Sequence, residues 1–475
     1  MRDSHVPRCA GSRLCARNAD TRLRKQIASS ATTLVERQRS RTMSTPNNDG
    51  DAARSHWRGA EEAAALQPSA GYGGFAPRPP GLFAIKRGIV DASTLPEPLK
   101  HVFREYDENL ASPFVGLTSD GNVIPDLYPL RDTGISTKPI AEAGRRYVDL
   151  LDASERANGI LPIDSPAWRG WINAFAPRPP HGLLLDELSP EQRDAALAVF
   201  EAALSPQGFE QLRNNMRINA ALGEIAPGYE DTLREYMYWF TIFGEPSDDQ
   251  PWGFQLYGHH ACVNIFIIGG QLTVGPMFLG AEPRVVEGGT HAGIRAFDTE
   301  LSLALAVMDS LTPEQRQKAV LSESVKWADL PPELAHPTEG RMRGSVARDN
   351  AVVPLDGISA TELNPEQRKL LRALIEHYVD RLPQEHAQLK MAEIDAHFDE
   401  TNFAWAGVPN VEEPFYYKIQ SPVIFVEVDA HSGIFLSNDD PKPFHIHNIV
   451  RIPNGNDYGH AWLQQHQEQE EKSTS

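Results

Sequence analysis

The spacing of apolar residues predicts mainly helices between residues 140 and 243. Ile140–Leu151 carries Ala and Leu at helical spacing. Ser189-Pro190-Glu191-Gln192 resembles a helix start, with a Ser N-cap, Pro in the first turn and Glu behind it, and predicts a helix to about Leu204. Two further helices are predicted, from Ser205 to about Leu222 and over Tyr229–Phe243.

After residue 251 the pattern of apolar residues repeats every two positions, which is the period of a β-strand. Trp252–Ile268 is rich in aromatic and β-branched residues, Gly269-Gly270 predicts a turn, and Leu272–Leu279 returns, which together indicate a hairpin. More helices are predicted over Thr299–Ser310, Thr312–Leu321, Asn364–Arg381 and Gln384–His397, and more strands over Pro414–Ile419, Val423–Val428 and Phe444–Ile452. We therefore predict an α+β fold, with an antiparallel sheet built from two separated hairpin blocks and covered by helices.

The N-terminal segment differs in composition from the rest of the chain. Residues 1–42 hold nine Arg and one Lys against three acidic residues. Two interpretations stay open: a transit-like leader for organelle import, or translation upstream of a true start at Met43. Residues 43–94 are polar and rich in Gly and Pro, and we expect a disordered lead-in. We expect a cytoplasmic protein, or an imported one if the leader is genuine.

Charge and cysteine content exclude several classes of protein. The chain has 475 residues and a formal net charge of −19, which argues against nucleic acid or an anionic membrane as a partner. No window is apolar enough for a membrane span. Three cysteines are too few for a disulfide framework, and no nucleotide-binding or serine-nucleophile motif is present. A small-molecule substrate remains the best expectation.

Strand alternation sorts the first pair of histidines. If Phe254–Ile268 is one regular strand, His259 lies on the apolar face, whereas His260 shares the polar face with Asn264. We therefore expect His260 to serve a site, with Asn264 as a substrate-binding neighbour, and His259 to pack.

The last predicted strand carries a second pair of histidines. His445, His447 and Arg451 share one face of it, and imidazoles two residues apart on a strand are about 6.5–7 Å apart along that face. That spacing suits two ligands of one metal ion. The alternative is a pair of solvated or hydrogen-bonded core histidines.

A carboxylate on the preceding strand needs a partner. Glu427 faces away from the apolar side of Val423–Asp429, and a metal, a histidine or Arg451 would satisfy it. We expect Glu427 to be a fourth ligand or the general base, with a plain ion pair to Arg451 as the alternative. Arg451 and Asp457 would either hold an anionic substrate or brace the site.

Several longer motifs are similar to one family. The chain resembles the "domain of unknown function 3500" family in Tyr238–Ser247, Pro251–Gly253, Gly258–His260, Phe278–Pro283, Phe403–Gly407, Tyr416–Ile419 and His445–His447. The resemblance spans roughly residues 95–470 and implies one α+β unit over that range, but it implies no reaction. One departure is Gln420, where some relatives have His.

Together these residues predict a metal-dependent enzyme acting on a small molecule. His260, His445 and His447 would bind a divalent metal, zinc before iron, manganese or copper, and Glu427 and Arg451 would act beside it. A metal-activated water favours hydrolysis. The alternatives are an iron-, manganese- or copper-dependent oxidoreductase and a non-catalytic protein that binds a small ligand. The sequence does not specify the oligomeric state.

Overall fold

The structure is a computed structural model that describes residues 85–90, 97–174, 180–226, 228–331, 336, 339–433, 435–436 and 440–474. The predicted leader and most of the predicted lead-in lie outside these ranges. Within the lead-in, residues 85–90 form a small hairpin, and Val90 is buried.

Ten α-helices and two sheets make up the described chain. The helices are α1 (Glu97–Ala111), α2 (Lys138–Asp149), α3 (Ala153–Gly159), α4 (Pro190–Ala203), α5 (Pro206–Ile225), α6 (Asp298–Ser310), α7 (Pro313–Ala319), α8 (Pro365–Val379), α9 (Gln384–Ala396) and α10 (His460–Thr474). The strands are β1 (Ile85–Lys86), β2 (Ile89–Val90), β3 (Ile160–Leu161), β4 (Leu183–Leu184), β5 (Tyr238–Phe243), β6 (Trp252–Gly258), β7 (Ala261–Ile268), β8 (Gln271–Ala281), β9 (Val320–Ser322), β10 (Ile358–Ser359), β11 (Asn402–Gly407), β12 (Phe415–Gln420), β13 (Phe425–Ala430) and β14 (Ile446–Arg451). The predicted α+β class is confirmed.

The main sheet joins the two hairpin blocks side by side. Its strand order is β10-β11-β12-β13-β14-β8-β7-β6-β5-β3, with β4 and β9 attached to β5 and β11. Most neighbours are antiparallel, and β14 pairs with β8 at the centre, so that His447 stands opposite Gly280. This one pairing makes neighbours of strands from distant parts of the chain.

The two faces of the sheet have different covers. On the helical face, Phe200 of α4 packs against Phe254 with ring centroids 5.0 Å apart. On the loop face, which carries His447 and Glu427, irregular segments take the place of helices. There Trp168 stacks on Phe243 at 3.9 Å. Because a strand alternates its side chains, the two faces present different chemistry.

Three of the predicted helix starts are confirmed in detail. Ser189, Thr312 and Asn364 each form a capping box. In each box, the side chain of the first residue accepts a hydrogen bond from the backbone N–H of a Gln three residues later, and the side chain of that Gln accepts one from the backbone N–H of the first residue. Pro occupies the first turn of all three helices, where its missing N–H is harmless.

Two predictions of local structure are wrong. Tyr229–Phe243 is not a helix, because Tyr238–Phe243 forms strand β5, buried at every residue; a short apolar run buried on both faces has no period that separates strand from helix. Trp252–Ile268 is not one strand either. It turns at His259–His260, with Gly258 paired to Ala261.

No helix of the described residues combines the length and the apolar character needed to cross a bilayer.

Candidate metal centre

A hairpin tip and a central strand bring three histidines together. His260 is the second residue of the β6–β7 turn and has a φ of +63°. The backbone N–H of Gly280 donates to the His260 carbonyl at 2.8 Å, and the same glycine pairs with His447 across β8 and β14. Gly280 therefore places the hairpin tip beside the His-x-His segment.

The three imidazoles converge through their Nε2 atoms. Nε2 of His445 lies 3.0 Å from Nε2 of His447, and Nε2 of His260 lies 3.2 Å from each of the other two. A neutral imidazole nitrogen is either a donor or an acceptor, so among three mutually touching nitrogens at least two have the same role. Hydrogen bonds alone leave at least one repulsive contact, whereas a cation bound by all three lone pairs leaves none.

The triangle has the dimensions of a metal-binding face. With metal–nitrogen bonds of about 2.0–2.1 Å, nitrogens separated by these distances subtend roughly 90–105° at the metal. That range lies between the right angle of an octahedron and the tetrahedral angle. Either geometry leaves further positions for water or substrate.

Burial keeps all three histidines neutral. His260, His445 and His447 are 2%, 4% and 5% exposed, and desolvation holds the pKa of each imidazole well below its usual value. A neutral imidazole has a free lone pair, which is the form that binds a metal.

A buried carboxylate stands behind one of the three imidazoles. Oε2 of Glu282 lies 3.8 Å from Nδ1 of His445, and burial raises the pKa of Glu282 to about 8. Carboxylates in this position orient ligating histidines in metalloproteins. Nδ1 of His445 is too far from Glu282 for a hydrogen bond, and none of the three Nδ1 atoms has a hydrogen-bond partner among the described residues.

Two more histidines stack on the cluster. His259 lies parallel to His260 with ring centroids 3.8 Å apart, and its Nδ1 is 2.7 Å from Oδ1 of Asn219 on α5. His431 stacks on His447 at 4.0 Å, and its Nδ1 is 3.2 Å from Oδ2 of Asp429.

Strand register selects Asp429 as the carboxylate next to the His-x-His segment. Asp429 pairs directly with His447, whereas Glu427 pairs with Ile449. Residues directly opposite on antiparallel strands point to the same face and lie closest together. Asp429 therefore holds the position that the sequence analysis assigned to Glu427.

The expected place of Glu427 at the metal has no support from its contacts. Its carboxylate accepts from the backbone N–H groups of Arg343 and Gly344 at 2.8–3.0 Å and from the Tyr416 hydroxyl at 2.7 Å. Among the described residues, the groups able to hold one metal ion are the three histidines. Glu427 anchors the loop at residues 343–344 to the sheet.

Arg451 and Asp457 belong to a buried ion network. Nη1 of Arg451 lies 3.0 Å from carboxylate oxygens of both Asp349 and Asp457, and all three side chains are at most 2% exposed. Arg451 also donates to the backbone carbonyls of Gly344 and Ser345. Of the two roles that the sequence left open, holding a substrate and bracing, this geometry favours bracing.

Asn264 and Gln420 are engaged within the sheet. The Asn264 carboxamide donates to the Pro276 carbonyl at 2.7 Å and accepts from Gln255, so the predicted substrate contact has no support from its position. Gln420 donates to the Val353 carbonyl and accepts from Lys418.

Sequence reasoning found the three imidazoles and missed their supports. Their convergence is confirmed as geometry, and their role as metal ligands stays a prediction. Glu282, Asp429, His431 and the stacking role of His259 were missed. A signal was present for Glu282, because an acidic residue directly follows the apolar end of a central strand, where burial without a partner is costly.

A protein-family model described as "Protein of unknown function (DUF3500)" matches residues 133–460, which include all three converging histidines. No curated protein and no solved structure matches the chain. The family description names no reaction, so the chemistry has to be argued from the side chains.

Proposed function

The chain belongs to the DUF3500 family, and we propose that it is a metal-dependent enzyme that acts on a small molecule. His260, His445 and His447 would bind one divalent metal ion. The observation that carries the proposal is the triangle of Nε2 atoms 3.0–3.2 Å apart, an arrangement that is repulsive without a cation and matches a metal-ligand face with one.

Three neutral ligands favour hydrolysis. They leave the full charge of a divalent ion on the metal, which lowers the pKa of a bound water and makes it a nucleophile near neutral pH. The water would add to an ester, amide or similar carbonyl, and the bond to the leaving group would break. Zinc suits this ligand set best, and the carboxylate of Asp429, which pairs with His447 across the two strands, would offset part of the buried charge.

The proton acceptor in this proposal is the His431–Asp429 pair, in place of Glu427. His431 lies against His447, and the Asp429 carboxylate at 3.2 Å fixes the orientation of its ring. A histidine oriented by a carboxylate is a common general base. Glu427 is committed to backbone N–H groups away from the histidines.

One observation favours oxidative chemistry as the second candidate. The shortest nitrogen separation, 3.0 Å, corresponds to a right angle at a metal with bonds of about 2.1 Å, which suits an octahedral iron or manganese ion with open positions. The identity of the bound metal therefore distinguishes hydrolysis from oxidation. A protein that binds a ligand without catalysis would need no metal.

The setting that we propose is the cytoplasm, with a small-molecule substrate and no nucleic acid. The net charge of −19 supports the absence of a nucleic-acid partner, because an acidic surface repels phosphate backbones.

The first experiment is metal analysis of the purified protein by mass spectrometry. We expect about one equivalent of metal: zinc supports hydrolysis, and iron, manganese or copper supports oxidation. His260→Ala and His447→Ala should each lose the metal. His386→Ala is the matched control, because His386 is also buried but lies outside the cluster, and it should keep the metal.

The second experiment measures hydrolysis of p-nitrophenyl acetate. Zinc-loaded protein should hydrolyse this ester, removal of zinc with dipicolinate should abolish the activity, and added zinc should restore it. A protein that takes up no metal under any loading condition would overturn the proposal.

A further inference from the structure

Glu339 is a buried glutamate on the loop face of the sheet that has no ion-pair partner among the described residues. It is 2% exposed. Its carboxylate accepts from the hydroxyl of Ser345 and, at 3.3 Å, from Nδ2 of Asn173. A carboxylate has about four lone-pair positions, so these two donors leave part of its capacity unused. Acidic side chains are almost never fully buried unless they are paired, so the place of Glu339 calls for a functional explanation.

The triangle of Nε2 atoms lies over one row of the main sheet. Gly280 of β8, His447 of β14 and Asp429 of β13 stand opposite one another on neighbouring strands. His260 joins the row at Gly280, whose backbone N–H donates to its carbonyl. Neighbouring strands are about 4.8 Å apart, so the row from His260 to Asp429 is roughly 14 Å long. The three imidazoles meet above the middle of this row.

Glu339 is connected to both ends of the row. At one end, the backbone carbonyl of its donor Asn173 accepts from the backbone N–H of His260 at 3.2 Å. At the other end lies its neighbour in the chain, Gly340, where a Cβ would be 2.6 Å from Oδ2 of Asp429. Because the backbone of Glu339 is next to one end and its carboxyl group is hydrogen-bonded towards the other, the side chain crosses the middle of the row.

The second donor places the carboxyl group on the side of the triangle that the histidines leave open. The carbonyl of Ser345 accepts from Nη2 of Arg451 at 2.8 Å, and Arg451 lies four residues after His447 on β14. His445 lies two residues before His447, so it stands on the opposite side of the triangle from Glu339. The three histidines remain the group able to hold one metal ion within the described part of the chain. Glu339 is therefore a neighbour of the open metal positions and not a ligand.

Burial is the main influence on the acidity of this carboxyl group. Desolvation raises the pKa of Glu339 above its usual value, although His336 and His431 and the two hydrogen bonds to its carboxylate offset part of the effect. Such a group keeps its proton to a higher pH than an exposed glutamate. A glutamate tuned in this way by a buried setting can act as a general acid.

We propose that Glu339 is a catalytic residue of the metal centre and that its carboxyl group protonates the leaving group of the substrate. The inference rests on the proposed hydrolytic function and names its substrate class. An amine or an alkoxide leaves only with a proton, whereas a stable anion such as p-nitrophenolate leaves without one. A built-in proton donor therefore assigns the substrate to the amides or the alkyl esters.

The protons balance over the reaction. Water adds to the carbonyl carbon and gives one proton to His431. As the bond from that carbon to the leaving nitrogen or oxygen breaks, Glu339 gives its proton to the leaving atom. The products are a carboxylic acid and an amine or alcohol. Exchange with solvent then removes the proton from His431 and restores the one on Glu339.

The test compares Glu339→Gln with the wild type, both loaded with zinc, on p-nitrophenyl acetate and p-nitroacetanilide. The two substrates share the acyl group and nearly the same shape, and they differ in the leaving atom. Since general acid catalysis contributes a factor of about 10²–10⁴, kcat/KM of the variant should fall about a hundredfold or more for the anilide and less than about threefold for the ester.

Glu427→Gln is the matched control, because Glu427 is another buried glutamate and bonds to the same loop through the backbone N–H of Gly344. It should change kcat/KM for the two substrates by the same factor. Glu339→Gln should keep about one equivalent of zinc, measured by mass spectrometry, because Glu339 lies outside the ligand group.

Three results would overturn the inference and leave the proposed function standing. They are loss of zinc in Glu339→Gln, an equal loss of activity on both substrates, and a zinc-loaded wild type that hydrolyses the ester but not the anilide. A zinc-loaded wild type that hydrolyses neither substrate would overturn the proposed hydrolysis and this inference together.

Discussion

The Glu282 carboxylate lies 3.8 Å behind Nδ1 of His445, on the side of the ring away from the other two histidines' Nε2 atoms. Both residues are buried, at 1% and 4% exposure. The contact is longer than a hydrogen bond; an acidic group that closes this gap when a metal is bound would fix the orientation of the ring and make Nε2 a stronger ligand. The strand end that carries Glu282 thus supports the candidate metal centre from outside its ligand set.

We therefore predict that Glu282→Gln weakens metal binding by tenfold to a hundredfold, measured by competition with a chromophoric chelator. The matched control is Glu427→Gln, another buried glutamate on the same sheet. It should leave metal affinity unchanged and lower the free energy of unfolding by about 1–3 kcal/mol, because it weakens bonds from two backbone N–H groups. If Glu427→Gln weakened metal binding and Glu282→Gln did not, Glu427 would be the carboxylate that acts at the metal.

A glycine makes room for two of the imidazoles. A Cβ on Gly280 would lie 2.8 Å from Cδ2 of His260 and 3.2 Å from Cδ2 of His447. Gly280→Ala should therefore push the rings apart and reduce the metal content well below that of the wild type, measured by mass spectrometry. Gly288→Ala is the control, because a Cβ there meets nothing within 4 Å. Full metal retention in Gly280→Ala would show that the rings can shift without loss of the site.

His260 has a left-handed backbone conformation. Two substitutions at this position distinguish the role of its side chain from the strain of its backbone. His260→Ala and His260→Gly should both lose the metal. His260→Gly should be more stable than His260→Ala by about 1 kcal/mol, because glycine adopts a positive φ without a steric cost. Urea denaturation measures the difference, and equal stability of the two variants would show that the turn relaxes.

His259 should behave differently from its neighbour. His259→Ala leaves Oδ1 of Asn219 unpaired in the interior and should lower the free energy of unfolding by about 1–3 kcal/mol. It should retain most of the metal, because its ring stacks on His260 and does not contribute an Nε2 to the triangle. Loss of metal in His259→Ala with little loss of stability would contradict this division.

The buried His386 should contribute to acid sensitivity. Burial lowers the pKa of His386 to about 4, from the value near 6.5 that is usual for histidine. Between these pH values the unfolded chain binds more protons, so stability falls as the pH drops from about 6.5 to about 4, by up to about 3 kcal/mol.

His386→Gln should remove that part of the pH dependence, measured as the difference in unfolding free energy from the wild type at pH 7 and pH 4.5. Leu389→Met, on the same helix α9, should shift stability equally at both pH values. An unchanged slope in His386→Gln would assign the acid sensitivity to other groups.

Local sequence was enough to predict much of the secondary structure. The Ser, Thr and Asn caps with Pro behind them act within one turn, so the starts of α4, α7 and α8 followed from a few adjacent residues. The Gly269-Gly270 turn joins β7 and β8 as predicted. Strand alternation also put His447 and Glu427 on the polar faces of their strands, and His260 on the polar face of its own predicted strand, although His259–His260 proved to be a turn.

Tertiary structure decided which of those residues meet. The pairing of β14 with β8 depends on contacts between segments far apart in the sequence, and no local period encodes which edges of two hairpin blocks join. The register of β13 against β14 put Asp429, two residues beyond Glu427, opposite His447. Shifting the pairing of two strands by two residues leaves each side chain on the same face of the sheet but gives it a different neighbour on the next strand. The sequence alone therefore determined which side chains that face carries. Only the packed sheet determined which carboxylate stands beside the histidines.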